Sequence, residues 1–182
     1  PCAARHRTGD CRVTCNSKTH RMRNITMIDF HTHLGRLGPD PTTTQEAAEL
    51  VRKMDRAGIE QSVVLPLHDS PHGWYLQCTT EDVIRECNRF PDRLLPFCQL
   101  DRHFGYNTPT TDIRPLLAEY KARGCLGVGE IIANMMFDDP LVLNLLTQCG
   151  EMDMPVVFHV AHQVGGTYGL ADDLGLPRVE RA

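Results

Sequence analysis

From residue 25 onward, short runs rich in β-branched residues recur every 30 to 35 residues, starting near residues 26, 61, 94, 125 and 155. Each interval carries one helical pattern, and a strand followed by a helix at that spacing is the βα unit of a parallel sheet. The first strand is expected over Ile25 to Phe30. Thr44 is placed to cap a helix running to about Ala57, with Ala47, Leu50, Val51 and Met54 on one face and Gly58 closing it. The second strand, Gln61 to Leu67, contains Ser62-Val63-Val64-Leu65, too continuously apolar for a sheet with one wet face. Thr79 or Thr80 starts the next helix, with Glu81 and Asp82 in its first turn and Pro91 ending it. Leu94 to Leu100, Cys125 to Ile131 and Pro155 to Val160 complete the strands, and Ile113 to Arg123 and Pro140 to Met152 the helices. A glycine-rich loop (Gly165, Gly166, Gly169) then leads to the start of a fifth helix near Pro177.

Two architectures share this pattern. Eight such units make a closed (β/α)8 barrel of about 250 residues, whereas five make a complete doubly wound sheet of flavodoxin type. A chain of 182 residues fits the second with nothing missing, so spacing alone favours it. The residues at the strand ends point the other way. A nucleotide-binding sheet needs a Gly-rich turn after its first strand to cradle phosphate, and this chain has Asp29-Phe30-His31-Thr32-His33 there. Residues two apart on a strand share a face, so His31 and His33 can converge on one point. Two neutral imidazoles so placed suit a divalent transition metal, with Asp29 behind them to orient one ring.

An isolated His-x-His also arises by chance, as two loop histidines, but the other strand ends add to it. The fourth strand closes on Gly127-Val128-Gly129-Glu130, a carboxylate after two glycines that permit close packing. An unpaired buried charge costs several kcal/mol, so Glu130 needs either a cation or an arginine partner. The fifth strand, Pro155-Val156-Val157-Phe158-His159, ends on a third imidazole whose plain alternative is a satisfied core histidine. Together His31, His33, Glu130 and His159 form a candidate metal-binding set.

Ile28-Asp29-Phe30-His31-Thr32-His33-Leu34-Gly35 resembles the opening of the amidohydrolase superfamily of metal-dependent barrel enzymes. Further matches lie in Gly58-Ile59, Val63-Val64, Phe90-Pro91-Asp92-Arg93, Gly127-Val128-Gly129-Glu130-Ile131 and Phe158-His159. The branch it is most similar to includes aromatic acid decarboxylases and lactone hydrolases. The resemblance implies an α/β fold of (β/α)8 TIM-barrel type, truncated after about the fifth βα unit, over residues 25–182. It implies that His31 and His33 bind a divalent metal, with Zn2+ expected, that His159 is the strand-five ligand, and that Glu130 is a metal-binding and catalytic carboxylate. A histidine after strand six and an aspartate after strand eight, also implied, have no counterpart here.

The resemblance further implies hydrolysis of a small amide, ester or lactone by metal-activated water. Non-oxidative decarboxylation of a small acid at the same metal is the alternative, and an inactive fragment or binding module is the alternative of another class. Trp74 and His162, in loops beside the strand ends, are candidate substrate contacts, together with Tyr75 and Tyr168; Arg36 could meet a substrate carboxylate but reads more simply as a solvated loop arginine.

Composition bounds the remainder. The formal charge of −4 divides into about +5 over residues 1–24, which hold six Lys or Arg against Asp10, and −9 over the other 158, with 13 basic and 22 acidic side chains. A collagen, a disordered chain and a strongly basic nucleic-acid binder are excluded as descriptions of the whole. Cys11, Cys15 and His20 allow a zinc knuckle in the basic segment, but the second ligand clip is missing, and a disordered or non-native tail is the simpler description. Cys78, Cys87, Cys98, Cys125 and Cys149 are scattered among apolar runs, as reduced buried thiols are. No stretch approaches the roughly 18 apolar residues of a membrane span, and the start lacks a signal-like apolar core. The expectation is therefore a cytoplasmic protein with a small-molecule substrate, no nucleic-acid or membrane partner, and open strand edges through which it can self-associate.

Overall fold

The structure is a computed structural model that describes residues 27–36, 38, 40–67, 78–100, 108–161 and 169–182. Five strands, β1 (Ile28–His33), β4 (Gln61–Leu65), β5 (Leu94–Cys98), β6 (Gly127–Ile131) and β8 (Val156–Phe158), form one parallel sheet in the order β1-β4-β5-β6-β8. Between them run α1 (Ala47–Ala57), α2 (Thr80–Cys87), α3 (Arg114–Ala122) and α4 (Pro140–Glu151). The short strands are β2 (Gly35–Arg36), β3 (Thr44–Gln45), β7 (Ala133–Met136), β9 (Val160–Ala161) and β10 (Gly169–Ala171).

This order separates the two architectures. A doubly wound sheet reverses its strand order partway and carries helices on both faces; here the order is strictly sequential, as around a barrel wall. Packing agrees with the order. Val64 and Leu94 pack with Ala47, Leu50, Met54, Val83 and Cys87 of α1 and α2, and Cys98, Val128 and Ile131 pack with Leu117, Val142 and Cys149 of α3 and α4. The alternate residues Val63, Leu65 and Phe97, with Leu95 and Val157, form a separate cluster free of helical side chains. The strands are therefore apolar on both sides, the signature that Ser62-Val63-Val64-Leu65 carries in the sequence. The doubly wound expectation is set aside.

The helices begin and end as their sequences dictate. Thr79 caps α2 in a reciprocal box with Asp82, the Asp139 carboxylate accepts the Leu141 N–H ahead of Pro140, and Gly58 closes α1 at φ 71°. Three expectations shift. The first strand runs through the histidines, because the ladder extends to His33 opposite Leu65. Thr44 does not cap α1; it pairs in β3 against β2, while the Gln45 amide donates to the His33 carbonyl, and Glu46 stands at the cap without a side-chain bond. Where a fifth helix was expected near Pro177, the structure has a 3-10 turn over Val179–Arg181.

Upstream of that turn, β10 wedges between β7 and β9, a strand too short to show any sequence period. It is anchored by Asp172, whose buried carboxylate accepts the N–H groups of Asp173, Arg178 and Val179 and the Arg178 guanidinium. Burial pushes the Asp172 carboxyl up, but those hydrogen bonds outweigh it and hold the pKa low. A folded pKa below the unfolded value of about 3.9 gives stability that is complete above that pH and lost as pH falls through the folded value. Asp172→Asn is accordingly expected to lower Tm at pH 7 and to flatten its decline below about pH 4, as thermal melts across pH will record.

All five cysteines of the described residues are free and buried, in agreement with the sequence reading. Burial pushes the thiols of Cys87 and Cys149 up to about 12 and that of Cys78 to about 11, so they pack as small apolar groups. No helix among the described residues is long and apolar enough to cross a membrane. Residues 1–24, with the zinc-knuckle candidates Cys11, Cys15 and His20, lie outside the described residues, as do Trp74, Tyr75, His162 and Tyr168.

Candidate metal centre

The C-terminal ends of β1, β6 and β8 bring His31, His33, Glu130 and His159 together. His31 Nε2 and His33 Nε2 lie 3.1 Å apart, and Glu130 Oε2 lies 3.3 Å from the first and 3.5 Å from the second. Three donor atoms thus form a near-regular triangle. For zinc at the usual 2.0–2.1 Å from each ligand, a tetrahedral shell has edges of about 3.3–3.4 Å, so the triangle has the size of one coordination face. Among the described residues, His31, His33 and Glu130 are a set whose ligand atoms all fall within 4.8 Å of one another.

Backbone contacts orient these donors. His33 Nδ1 lies 3.0 Å from the Leu65 carbonyl of β4, where it donates, which leaves the Nε2 lone pair directed into the triangle. Asp29 accepts the backbone N–H of His31 at 3.1 Å, so its contact with His31 runs through the main chain and not through the ring. Thr32, on the opposite face, donates to the Val63 carbonyl at 2.6 Å and pins the strand between the two histidines.

Glu130 is 5% exposed, and its second oxygen, Oε1, lies 2.8 Å from His159 Nδ1. Burial raises its pKa, but the hydrogen bonds of His33 and His159 and the charges of His31 and His33 outweigh burial and hold the carboxyl below its ordinary value. At neutral pH Glu130 is therefore an anion that requires cationic company. His159 reaches the triangle through Glu130, an arrangement that differs from the direct ligation expected of it.

The two glycines before Glu130 have a steric cause. A Cβ on Gly129 would collide with the Val157 carbonyl oxygen, and one on Gly127 would overlap the Phe97 ring and stand 2.6 Å from the Pro155 oxygen. Only glycine lets β6 approach β8 closely enough for Glu130 and His159 to meet. Gly169 does the same beneath His159, where a Cβ would meet the His159 carbonyl at 2.7 Å. Arg36 donates from Nε to the Gly38 carbonyl at 2.9 Å. Three supporting contacts surround the cluster: Gln45 donates to the His33 carbonyl, Gln99 to the Glu130 carbonyl and His33 to the Leu65 carbonyl. Each acts on or through a backbone carbonyl, and no residue pattern marks such a contact in advance.

Fold and site define a class: five consecutive strands of a parallel α/β barrel, with the four helices between them and a His, His, Glu cluster at the strand C-terminal ends, the edge where such barrels carry their chemistry. No protein-family model matches the chain, and no curated protein matches it. Solved structures do. A probable 2-pyrone-4,6-dicarboxylic acid hydrolase from Acinetobacter baumannii aligns with a TM-score of 0.50 at 17% identity, over 72% of this chain and 48% of that one. A 2,6-dihydroxybenzoate decarboxylase from Rhizobium aligns with a TM-score of 0.52 at 15% identity, again over 72% and 48%. The chain spans about half the length of these solved structures. At such identities the likeness establishes the fold, which is that of the barrel enzymes the sequence resembles.

Proposed function

We propose that the chain carries the metal-holding edge of a metal-dependent hydrolase of the amidohydrolase superfamily, acting on a small amide, ester or lactone. The observation that carries this reading is the triangle of His31 Nε2, His33 Nε2 and Glu130 Oε2, whose edges of 3.1, 3.3 and 3.5 Å match a tetrahedral coordination face. These three residues would hold the ion, and the donor set of two imidazoles and one carboxylate suits Zn2+. A divalent ion held there would supply Lewis acidity that polarises a carbonyl and makes water a better nucleophile at neutral pH.

The chain's own groups do the rest. Glu130, ionised and buried, neutralises the centre and can accept a proton from a water at the mouth of the triangle. His159 holds the far oxygen of Glu130 and fixes which way the carboxylate faces. The expectation that Trp74 and His162 touch substrate belongs to the same proposal, in which His159 acts through Glu130 and not on the ion itself. Free, buried thiols support a reducing, cytoplasmic setting.

The decarboxylase likeness keeps a second reading in play, non-oxidative decarboxylation of a small acid at the same centre. Incubating the Zn2+-loaded chain with lactones, amides and aromatic acids separates the readings by product. Hydrolysis that stops with a chelator is expected. Release of CO2 without hydrolysis would transfer the proposal to the decarboxylase, and bound metal with no turnover of any kind would support a binding module.

A further inference from the structure

We propose that Gln99 is a positioning residue that sets the aim of Glu130, and so the metal affinity of the centre; this rests on the reading of that cluster as a metal site. Gln99 follows β5 directly and is buried, 7% exposed, although its side chain is an amide. A buried amide demands partners, and its Nε2 donates to the backbone carbonyl of Glu130 at 2.9 Å.

The location shows what this bond holds. Among the described residues the last pair of β5 and β6 is Cys98 and Val128, and Glu130 stands two residues past it. On its other side, the register between β6 and β8 shifts between Val128 and Ile131. Glu130 therefore lies within the register shift towards β8 and past the last described pair towards β5, with its carboxylate pointing between two histidines and a third. The Gln99 amide donates to this carbonyl and holds it in place. The Gln99 main chain is tied separately: its N–H donates to Thr80 Oγ1 at 3.1 Å at the start of α2, where the Thr79 and Asp82 box closes the helix end.

The distinction from a purely structural tie is where the bond lands. The Gln99 N–H to Thr80 bond joins a helix to the end of a strand through the Gln99 main chain. Gln99 to Glu130 ends on the residue that supplies a ligand oxygen. Loss of the first should soften the fold, whereas loss of the second should let Glu130 drift within an intact fold and loosen the triangle.

The test titrates the metal-free 182-residue chain with Zn2+ against a chromogenic chelator, and with Co2+ while its d–d absorption is recorded. Gln99→Met keeps the shape without the donor, Gln99→Asn keeps the amide one methylene short, and Thr80→Val removes the acceptor of the Gln99 N–H. Gln99→Met is expected to weaken Zn2+ binding about 10- to 100-fold, the usual effect of removing a group that orients a ligand, and to change the Co2+ spectrum. Thr80→Val is expected to lower Tm while leaving affinity and spectrum unaltered. Should Gln99→Met not fold, Gln99→Asn decides by the same two readouts. Wild-type affinity and spectrum in the folded Gln99 variants would overturn the proposal, as would equal weakening by Thr80→Val. If the unsubstituted chain binds neither ion, the metal reading itself fails, an outcome visible before any variant is compared.

Discussion

Gly129→Ala is expected to destabilise the chain by about 2–6 kcal/mol, the sum of overpacking and of backbone strain at a special dihedral. The added methyl would collide with the Val157 carbonyl oxygen and lie 3.0 Å from the Val157 Cβ, and φ at Gly129 is +144°, a backbone region that residues with side chains rarely adopt. Val157 belongs to the neighbouring strand of the same sheet, so the obstruction is backbone that cannot swing aside. Against a total stability of roughly 5–15 kcal/mol for a domain, the loss is a large share. Gly150→Ala makes the contrast. It lies in α4, where an added methyl would meet nothing within 4 Å, and it should gain about 0.5–1 kcal/mol from helix propensity. Urea melts of the two variants test this, and a Gly129→Ala chain as stable as the parent would show that β6 and β8 do not approach as described.

His31→Ala combined with His33→Ala is expected to reduce metal affinity by about 10,000-fold. Structural zinc sites with four ligands bind with roughly 10–16 kcal/mol, or about 3 kcal/mol per ligand, and each such loss is about a hundredfold. The same change acts on the metal-free chain. In the parent, Glu130 has a depressed pKa, so its contribution to stability is present above the ordinary glutamate value of about 4.3 and is lost as pH falls through the folded value. Without the two histidines, burial acts on the carboxyl with only His159 opposed to it, and the pKa rises. The double variant should therefore be less stable at pH 7 and should lose less on acidification below about pH 4.3. Chelator competition gives the affinity, and thermal melts across pH give the stability. Unchanged affinity would place the metal elsewhere.

The site's own residues are legible in the sequence because each terminates an apolar run with a side chain that has no place in a core. His31 and His33 after Ile28-Asp29-Phe30, Glu130 after Gly127-Val128-Gly129, and His159 after Val156-Val157-Phe158 are all visible this way. The βα alternation is equally visible, but spacing does not distinguish five units of a barrel from a doubly wound sheet. Strand order distinguishes them, and order depends on which strands neighbour each other across about 30 residues of chain. The supporting contacts escape for a different reason. Gln45, Gln99 and Leu65 act on or through backbone carbonyls, and a glutamine after a strand looks like any solvated strand end until its burial is known. Likewise β10 has three residues, and its pairing is supplied by partners that flank it in space. Gly169 is the available signal there, but beside Gly165 and Gly166 it reads as one more loop glycine.

The central claim is that His31, His33 and Glu130 hold a divalent metal. X-ray absorption at the zinc edge of the chain loaded with one equivalent of Zn2+ tests it most directly, because it reports the atoms around the ion. Nitrogen and oxygen neighbours at about 2.0–2.2 Å, with the outer-shell signature of imidazole, are predicted. Sulfur neighbours at about 2.3 Å would contradict the claim, since they would assign the ion to cysteines and leave the triangle at the strand ends without its function.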